Sequence, residues 1–310
     1  MKYVQYINSL LKNIIQKEKD LIIYGQNINA GSCISGLTRG LGDINSGFTI
    51  NTPNSENTLT GIGFGLMLNS TSSIFFMKQM DFLLLGIDHL VNTFNIIRQS
   101  MPTASFTIFP VNVDSGFEGP QSALNNFNDF CSIADLDGYS FTNKIDTKEI
   151  ISNYLIRPGF RIISPSQRLL RNDTINLDVF YYDKEFKYFH YMKGDDLSIV
   201  CFNYSLPYGI SLYKRFKNIQ ISASLLSINT FSLFDCKYLI NELNQTKNLI
   251  IIDDSKSTNK MSDKFLNQIY KHCILEKIIV LDRQDEKNRF FPRHDQLEID
   301  YNSVLNKFIK

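Results

Sequence analysis

Glu56 is the residue whose type and setting most readily suggest chemistry. The run Asn51-Thr52-Pro53-Asn54-Ser55-Glu56 puts a carboxylate just beyond a short apolar stretch and at the start of a glycine-rich one. If the first is a strand and the second a helix, Glu56 lies at the sheet edge where open α/β folds bind ligands. The same acid could serve the helix alone, with Ser55 or Asn54 as cap and Glu56 favoured in the first turn. The two roles are compatible. A second run, Asp114-Ser115-Gly116-Phe117-Glu118-Gly119-Pro120-Gln121, also follows a strand pattern, and its two glycines allow close backbone approach to a ligand. The plainer reading is a surface turn. In a third, Lys78-Gln79-Met80-Asp81-Phe82, the Phe82 ring either covers a flat ligand or fills the core.

Other chemistries lack their motifs. The chain has no Gly-x-x-x-x-Gly-Lys-Ser/Thr phosphate loop, no dinucleotide fingerprint after a strand, no Gly-x-Ser-x-Gly elbow and no HExxH. Gly61, Gly63 and Gly65 fall inside a helix pattern, a spacing that suits close approach to another backbone. The four histidines, His89, His190, His272 and His294, are scattered. His89 reads as a structural residue on a helix, His294 as one that could reach a partner surface, and Lys256 to Lys264 as a solvated charged stretch.

The elements that must position these residues alternate. Val4–Lys17 has helix spacing, and Leu21–Gly25 reads as a buried strand. Strands are expected at Phe48–Thr52, Ser73–Met77, Ser105–Val113 and Phe160–Ser164. Helices are expected at Thr58–Leu68, Leu84–Gln99 and Thr147–Leu155. Residues 173–193 are aromatic and charged, and read as a connection with one extended hairpin. A second series follows: strands Leu197–Phe202, Ile219–Ser227, Leu249–Asp253 and Ile278–Leu281, with helices Tyr208–Phe216, Asp235–Gln245 and Met261–Cys273. Short apolar runs alternating with helices imply mostly parallel, doubly covered sheets. The expected fold is α/β, with two doubly wound domains over residues 1–172 and 194–310 joined by 173–193.

Composition agrees with a globular chain. The 310 residues carry 32 Lys and Arg against 31 Asp and Glu, a net charge of +1 that argues against a strong nucleic-acid footprint. No apolar run reaches the ~18 residues of a spanning helix, so no membrane partner is expected. Five cysteines, Cys33, Cys131, Cys201, Cys236 and Cys273, show no close spacing, which fits neither a zinc site nor a disulfide framework and points to a reducing cytoplasm.

The order of these motifs resembles the transketolase-like pyrimidine-binding superfamily of thiamin diphosphate enzymes. The likeness is nearest, in size, to the beta subunit of 2-oxoacid (pyruvate-type) dehydrogenase decarboxylating components, and it covers nearly the whole chain. Tyr24-Gly25-Gln26-Asn27 and Thr38-Arg39-Gly40-Leu41 look like that subunit's first strand and the segment after it. Asn51–Glu56 followed by Gly61-Ile62-Gly63-Phe64-Gly65 looks like its TP-x-SE…G-x-A-x-G motif. Met80-Asp81-Phe82 with Gly86–Asn92 looks like xDF…AIDQIVN, and Asp114–Gln121 like the G-x-GPQHS loop. Residues 158–170 match the strand that closes the pyrimidine domain, and the chain from Gly194 is similar to the transketolase C-terminal domain.

The resemblance implies roles. Glu56 would hydrogen-bond the aminopyrimidine of thiamin diphosphate and favour the imino tautomer whose nitrogen takes the thiazolium C2 proton, the cofactor then acting as electron sink. Phe82 matches the aromatic that stacks on the pyrimidine. Leu85 stands where the family often has a polar Gln. Asp114, Gln121 and Ser122 fall on the substrate-side loop, with Ser122 in place of the family's His. A hydroxyl cannot replace an imidazole as acid, base or cation. No Gly-Asp-Gly…Asn motif for Mg²⁺ and the diphosphate is present. An alpha-like partner in an α2β2 heterotetramer is therefore expected to supply the metal ligands, and exposed apolar residues of Leu84–Gln99 are candidates for the interface. The implied activity is 2-oxoacid decarboxylation or ketose cleavage with transfer of the acyl or two-carbon unit, the labels transferase and oxidoreductase both being open. The alternatives are the C-terminal subunit of a split transketolase and a non-catalytic structural member of the superfamily.

Overall fold

Apolar runs without polar alternation form the strands, as expected where both faces of a sheet are covered. The structure, a computed structural model, describes residues 1–114, 127–232, 234–283 and 297–309. The first sheet comprises β1 (Ile22–Gly25), β2 (Phe48–Asn51), β3 (Ser73–Met77), β4 (Ser105–Pro110), β5 (Gly138–Ser140) and β6 (Gly159–Ser164), all parallel, in the order β2-β1-β3-β4-β6-β5. The second comprises β7 (Tyr181–Tyr182), β8 (Tyr188–Met192), β9 (Leu197–Phe202), β10 (Ala223–Ile228), β11 (Asn248–Asp253) and β12 (Lys277–Asp282), in the order β12-β11-β9-β10-β8-β7. Strands β9 to β12 are parallel, and the aromatic hairpin β7–β8 adds two antiparallel strands at one edge. The fold is α/β.

The helices are α1 (Tyr3–Ile15), α2 (Leu41–Ile44), α3 (Glu56–Leu68), α4 (Phe94–Ile97), α5 (Phe127–Ile133), α6 (Lys144–Tyr154), α7 (Gln167–Leu170), α8 (Leu206–Asn218), α9 (Lys237–Thr246), α10 (Met261–Ile269) and α11 (Tyr301–Ile309). On α1 the residues Ile7, Leu11 and Ile15, spaced by four, are fully buried. They join a core cluster that runs through both sheets, from Phe76, Phe109 and Tyr139 to Phe189, Leu197 and Ile252. Successive residues of β3 divide between the faces: Ile74 and Phe76 enter this cluster, while Phe75 and Met77 enter a second one with Phe64, Phe106 and Phe160. A third cluster, built from Val200, Phe202, Ile251 and Phe265, covers the far face of the second sheet. All five cysteines are free thiols.

Polar ties cross between the sheets. Asp146, in the first turn of α6, accepts from the Thr142 and Asn143 amides (3.1 and 2.9 Å) and, from the second sheet's side, from Tyr191 Oη (2.8 Å) and Asn229 Nδ2 (3.2 Å). Burial pushes its carboxyl up to about 6, against these hydrogen bonds. Ser257 Oγ donates to Asp129 Oδ1 at 2.8 Å.

Two expectations need correcting. The single helix expected over Leu84–Gln99 is instead a 3-10 segment, Met80–Gly86, followed after a 70° bend by the helical stretch His89–Ser100. That stretch opens with a π-turn, His89–Thr93, in which the Phe94 amide donates to the His89 carbonyl and His89 Nδ1 meets Thr93 Oγ1 at 2.8 Å. The bend falls where the chain crosses α3 closely: a Cβ on Gly86 would lie 2.6 Å from Thr60 Oγ1 and 3.4 Å from the Glu56 carbonyl oxygen. The glycines of α3, in turn, accommodate side chains rather than another backbone. A Cβ on Gly61 would meet His89 Nε2 at 2.7 Å; one on Gly63 would overlap the Phe106 ring and lie 2.6 Å from Tyr24 Oη; one on Gly65 would meet nothing. Gly63→Ala should therefore destabilise the chain by roughly 1–3 kcal/mol, as overpacking does, whereas Gly65→Ala should stabilise it by about 0.5–1 kcal/mol through helix propensity. Urea unfolding of the two variants checks this pair of opposite signs.

Candidate functional site

The strand order reverses between β1 and β3. The chain leaves β1 toward β2 on one side, while β3 and then β4 lie on the other. In open α/β sheets the crevice at the carboxyl ends of two such strands is the ligand-binding position. Gln26 follows β1 directly, and Met80–Gly86 follows β3 after Lys78 and Gln79. Helix α3 links β2 to β3 and begins with Glu56. The β1–β2 pairing continues one step past the strands, the Thr52 amide donating to the Gly25 carbonyl at 3.1 Å.

Glu56 is 7% exposed, and among the described residues its carboxylate takes no hydrogen bond. The first turn of α3 gives it the favourable end of the helix dipole. The capping role expected of Ser55 is not observed: its hydroxyl donates to Thr58 Oγ1 at 2.9 Å and accepts no backbone amide. Phe82 is half-buried and packs against the core cluster of Tyr24, Leu59 and Phe64. Leu85 is 62% exposed and immediately precedes Gly86, the residue that lies against the Glu56 carbonyl. Glu56, Phe82 and Leu85 thus belong to one junction between α3 and the turn after β3.

Two polar atoms at this edge, Gln26 Nε2 and Thr52 Oγ1, are buried without a hydrogen-bond partner among the described residues. Leaving buried polar groups unmet costs about 1–3 kcal/mol each. A carboxylate, an amide donor and a hydroxyl are thus left unmatched among the described residues of this sheet edge. Sequence reading missed Gln26 and Thr52 as site residues, although the position of Gln26 just after the Gly that ends β1 was a usable signal. Among the described residues, no group of three or more His, Cys, Asp or Glu side chains is placed to hold a metal ion.

Asp114, expected on an exposed loop, is 5% exposed and turned inward. It accepts from Ser166 Oγ (2.6 Å) and the Arg168 amide (2.9 Å), and lies 3.7 Å from the Arg168 guanidinium. Burial raises its pKa, with Arg168 opposing the rise. Gln121 and Ser122 lie outside the described residues. Asp81, next to Phe82, is 4% exposed; burial pushes its carboxyl up to about 7, with Lys256 of the second sheet's side pulling it down.

A parallel six-stranded sheet, a second mixed sheet, and an acid opening the helix after the second strand define a transketolase-like α/β protein. The solved structure of a split gene transketolase, an inactive beta4 tetramer, superposes with a TM-score of 0.67 at 13% identity, covering 91% of this chain and 88% of that one. Transketolase from Campylobacter jejuni subsp. jejuni NCTC 11168 also gives 0.67, at 11% identity, covering 99% of this chain but 44% of that longer one. By sequence, the chain is 23% identical over 260 residues to the mitochondrial pyruvate dehydrogenase E1 component subunit beta of Dictyostelium discoideum (80% of this chain, 72% of that one). It is 19% identical over 303 residues to the 2-oxoisovalerate dehydrogenase subunit beta of Bacillus subtilis (strain 168), covering 89% and 86%. No family model matches the chain. These likenesses fit the transketolase-like pyrimidine-binding superfamily.

The raised Asp81 pKa has a consequence for stability. An unfolded Asp ionises near 4, whereas the folded one holds its proton up to about 7. The folded state therefore binds the extra proton in that window, and this residue's contribution to stability is lost as pH rises through it. Asp81→Asn should raise the urea midpoint at pH 8 clearly more than at pH 4.5. Equal shifts at the two pH values would contradict the assignment.

Proposed function

We propose that this chain is the beta-type, pyrimidine-binding subunit of a thiamin-diphosphate-dependent enzyme that cleaves a C–C bond next to a carbonyl. Residues 1–172 are the pyrimidine-binding domain and 194–310 a transketolase C-terminal-like domain; the segment 173–193, expected as a linker, carries the β7–β8 hairpin and so joins the second domain's sheet. The observation that carries this reading is Glu56: a residue only 7% exposed whose carboxylate meets no protein donor among the described residues, at the switch point of the first sheet. Thiamin diphosphate, when bound, supplies the carbon nucleophile and the electron sink. Glu56 would meet the pyrimidine ring nitrogen and hold its proton, Phe82 would offer the ring an aromatic face, and Leu85 would supply an apolar contact in place of a polar one.

The diphosphate and Mg²⁺ fall to an alpha-like partner in an α2β2 assembly, since this sequence has no Gly-Asp-Gly…Asn motif. Exposed Phe48 and Ile50 on β2, Ile62 on α3, and Leu84 and Leu85 support such a partner surface on the side of Glu56. The donor is a 2-oxoacid or a ketose. Ser122 in place of the family's His favours an acceptor other than lipoamide, such as a sugar aldehyde. The likeness to a split gene transketolase over 88% of that chain favours, as a second reading, the C-terminal subunit of a split transketolase. A non-catalytic scaffold would have no use for the unpartnered carboxylate.

The test uses the complex assembled with a chain that carries the diphosphate motif. Glu56→Gln should leave assembly intact and lower turnover by about 10²–10⁴-fold, the usual loss for a positioned proton-transfer group. Unchanged turnover would refute the role. Lipoamide reduction from pyruvate at ordinary rates would refute the acceptor assignment alone.

A further inference from the structure

At the opposite end of the first sheet from Glu56, the segments that enter β5 and β6 enclose a pocket of about 270 Å³. Asp137, Arg157, Pro158, Gly159 and Arg161 line it from this sheet, and Glu185 and Lys187 from the β7–β8 hairpin close it. The Tyr139 and Tyr154 rings, stacked with centroids 4.3 Å apart, form its wall.

Arg161 is the unusual group here. It is 4% exposed, yet among the described residues no carboxylate lies within ion-pair distance of its guanidinium. Nη1 donates to the Tyr154 carbonyl (2.8 Å) and, weakly, to Thr107 Oγ1 (3.4 Å), and Nη2 to the Pro158 carbonyl (2.7 Å). Its Nε has no hydrogen-bond partner among the described residues. A buried cation without a counter-ion is costly unless something neutralises it. The other charges around the pocket offset it only in part. Glu185 is taken by Lys187 at 2.8 Å. Arg157 lies over the Tyr154 ring, 5.3 Å from its centroid, and makes no ion pair among the described residues. Asp137 faces Arg161 from beyond ion-pair distance. Among the described residues that line it, three cations stand against two carboxylates.

We infer that this pocket is a second ligand site, which binds a small oxyanion, a carboxylate or phosphoryl group, between Arg157 and Arg161. Its polar lining and modest volume suit a hydrophilic anion rather than an apolar ligand. The site is independent of the thiamin reading, since it shares no residue with the Glu56 edge.

The full chain is titrated with sodium phosphate and, separately, with sodium acetate, at ionic strength held constant with sodium chloride, and followed by calorimetry and thermal unfolding. The expected result is saturable binding of one or both anions with a rise in Tm. A response to phosphate alone identifies a phosphoryl ligand, and one to acetate alone a carboxylate. Arg157→Gln, at an exposed side chain, should weaken binding by about tenfold, as loss of a charge-assisted hydrogen bond does, without changing Tm in chloride. Asp137→Asn should tighten binding. Absence of saturable binding of both anions, or equal affinity in the Arg157→Gln variant, would overturn the inference and leave Arg161 a purely structural clamp on its two carbonyls.

Discussion

The arrangement of the molecule depends on Arg168. Its guanidinium lies between two buried carboxylates from different halves of the chain, 2.8 Å from Asp254 beyond β11 and 3.7 Å from Asp114 beyond β4. It also donates to Tyr208 Oη (2.7 Å) and the Tyr204 carbonyl (3.3 Å). Two buried carboxylates of like charge would repel each other, and Arg168 makes their proximity tolerable. The geometry is completed by local turns. Asp114 also receives the Arg168 amide, and Ser166 caps the short α7 by accepting the Leu169 amide. Truncating one member of such a group typically costs 3–5 kcal/mol, because the remaining charges stay buried. The carboxyl ends of β4, β6 and β11 are thereby held in one register.

That register matters because the core does not separate the halves. One apolar cluster contains α1, one face of the first sheet and residues of β8, β9 and β11. Apolar burial is non-directional, so it draws the sheets together without fixing their relative rotation. The directional contacts do that: the Arg168 group at the carboxyl ends, and Asp146 with Tyr191 and Asn229 beside α6. The candidate site draws on the same rigidity. Lys256, from the second sheet's side, opposes the rise that burial gives the Asp81 carboxyl, so the turn that carries the aromatic lies within electrostatic reach of that side.

How much of this was legible follows from the range of each interaction. Strands such as Ser73–Met77 and Leu197–Phe202 were readable to the residue, because a fully covered parallel strand is a bare apolar run. The segment 84–99 was not, since its apolar spacing is helical while the path is broken by contact of Gly86 with Thr60, a tertiary cause. The three-residue β5 carries too little pattern to detect. By contrast α11 shows Tyr301, Val304, Leu305 and Phe308 at helix spacing and was open to the same reasoning. At the site, Glu56 was legible from its place between a strand and a glycine-rich helix. The unmet atoms of Gln26 and Thr52, and the buried guanidiniums of Arg161 and Arg168, were not. Their meaning lies in what does or does not surround them, and burial without a partner leaves no mark on local sequence.

The edge strands of the two sheets carry exposed apolar residues. Interior strands of a parallel sheet are covered on both faces, yet β2 leaves Phe48 and Ile50 exposed, and β12 leaves Ile278 and Val280 exposed. An uncovered apolar edge strand invites another chain. Strand β2 leads directly into the turn that carries Glu56, so a chain docked on that edge would stand beside the carboxylate. Glu56 is nevertheless already 7% exposed without it. A partner therefore has little left to bury of the carboxylate itself. What it would add, on the proposed reading, is the missing wall around a ligand, and with it the low-dielectric surroundings in which a proton held by Glu56 is least disturbed by water.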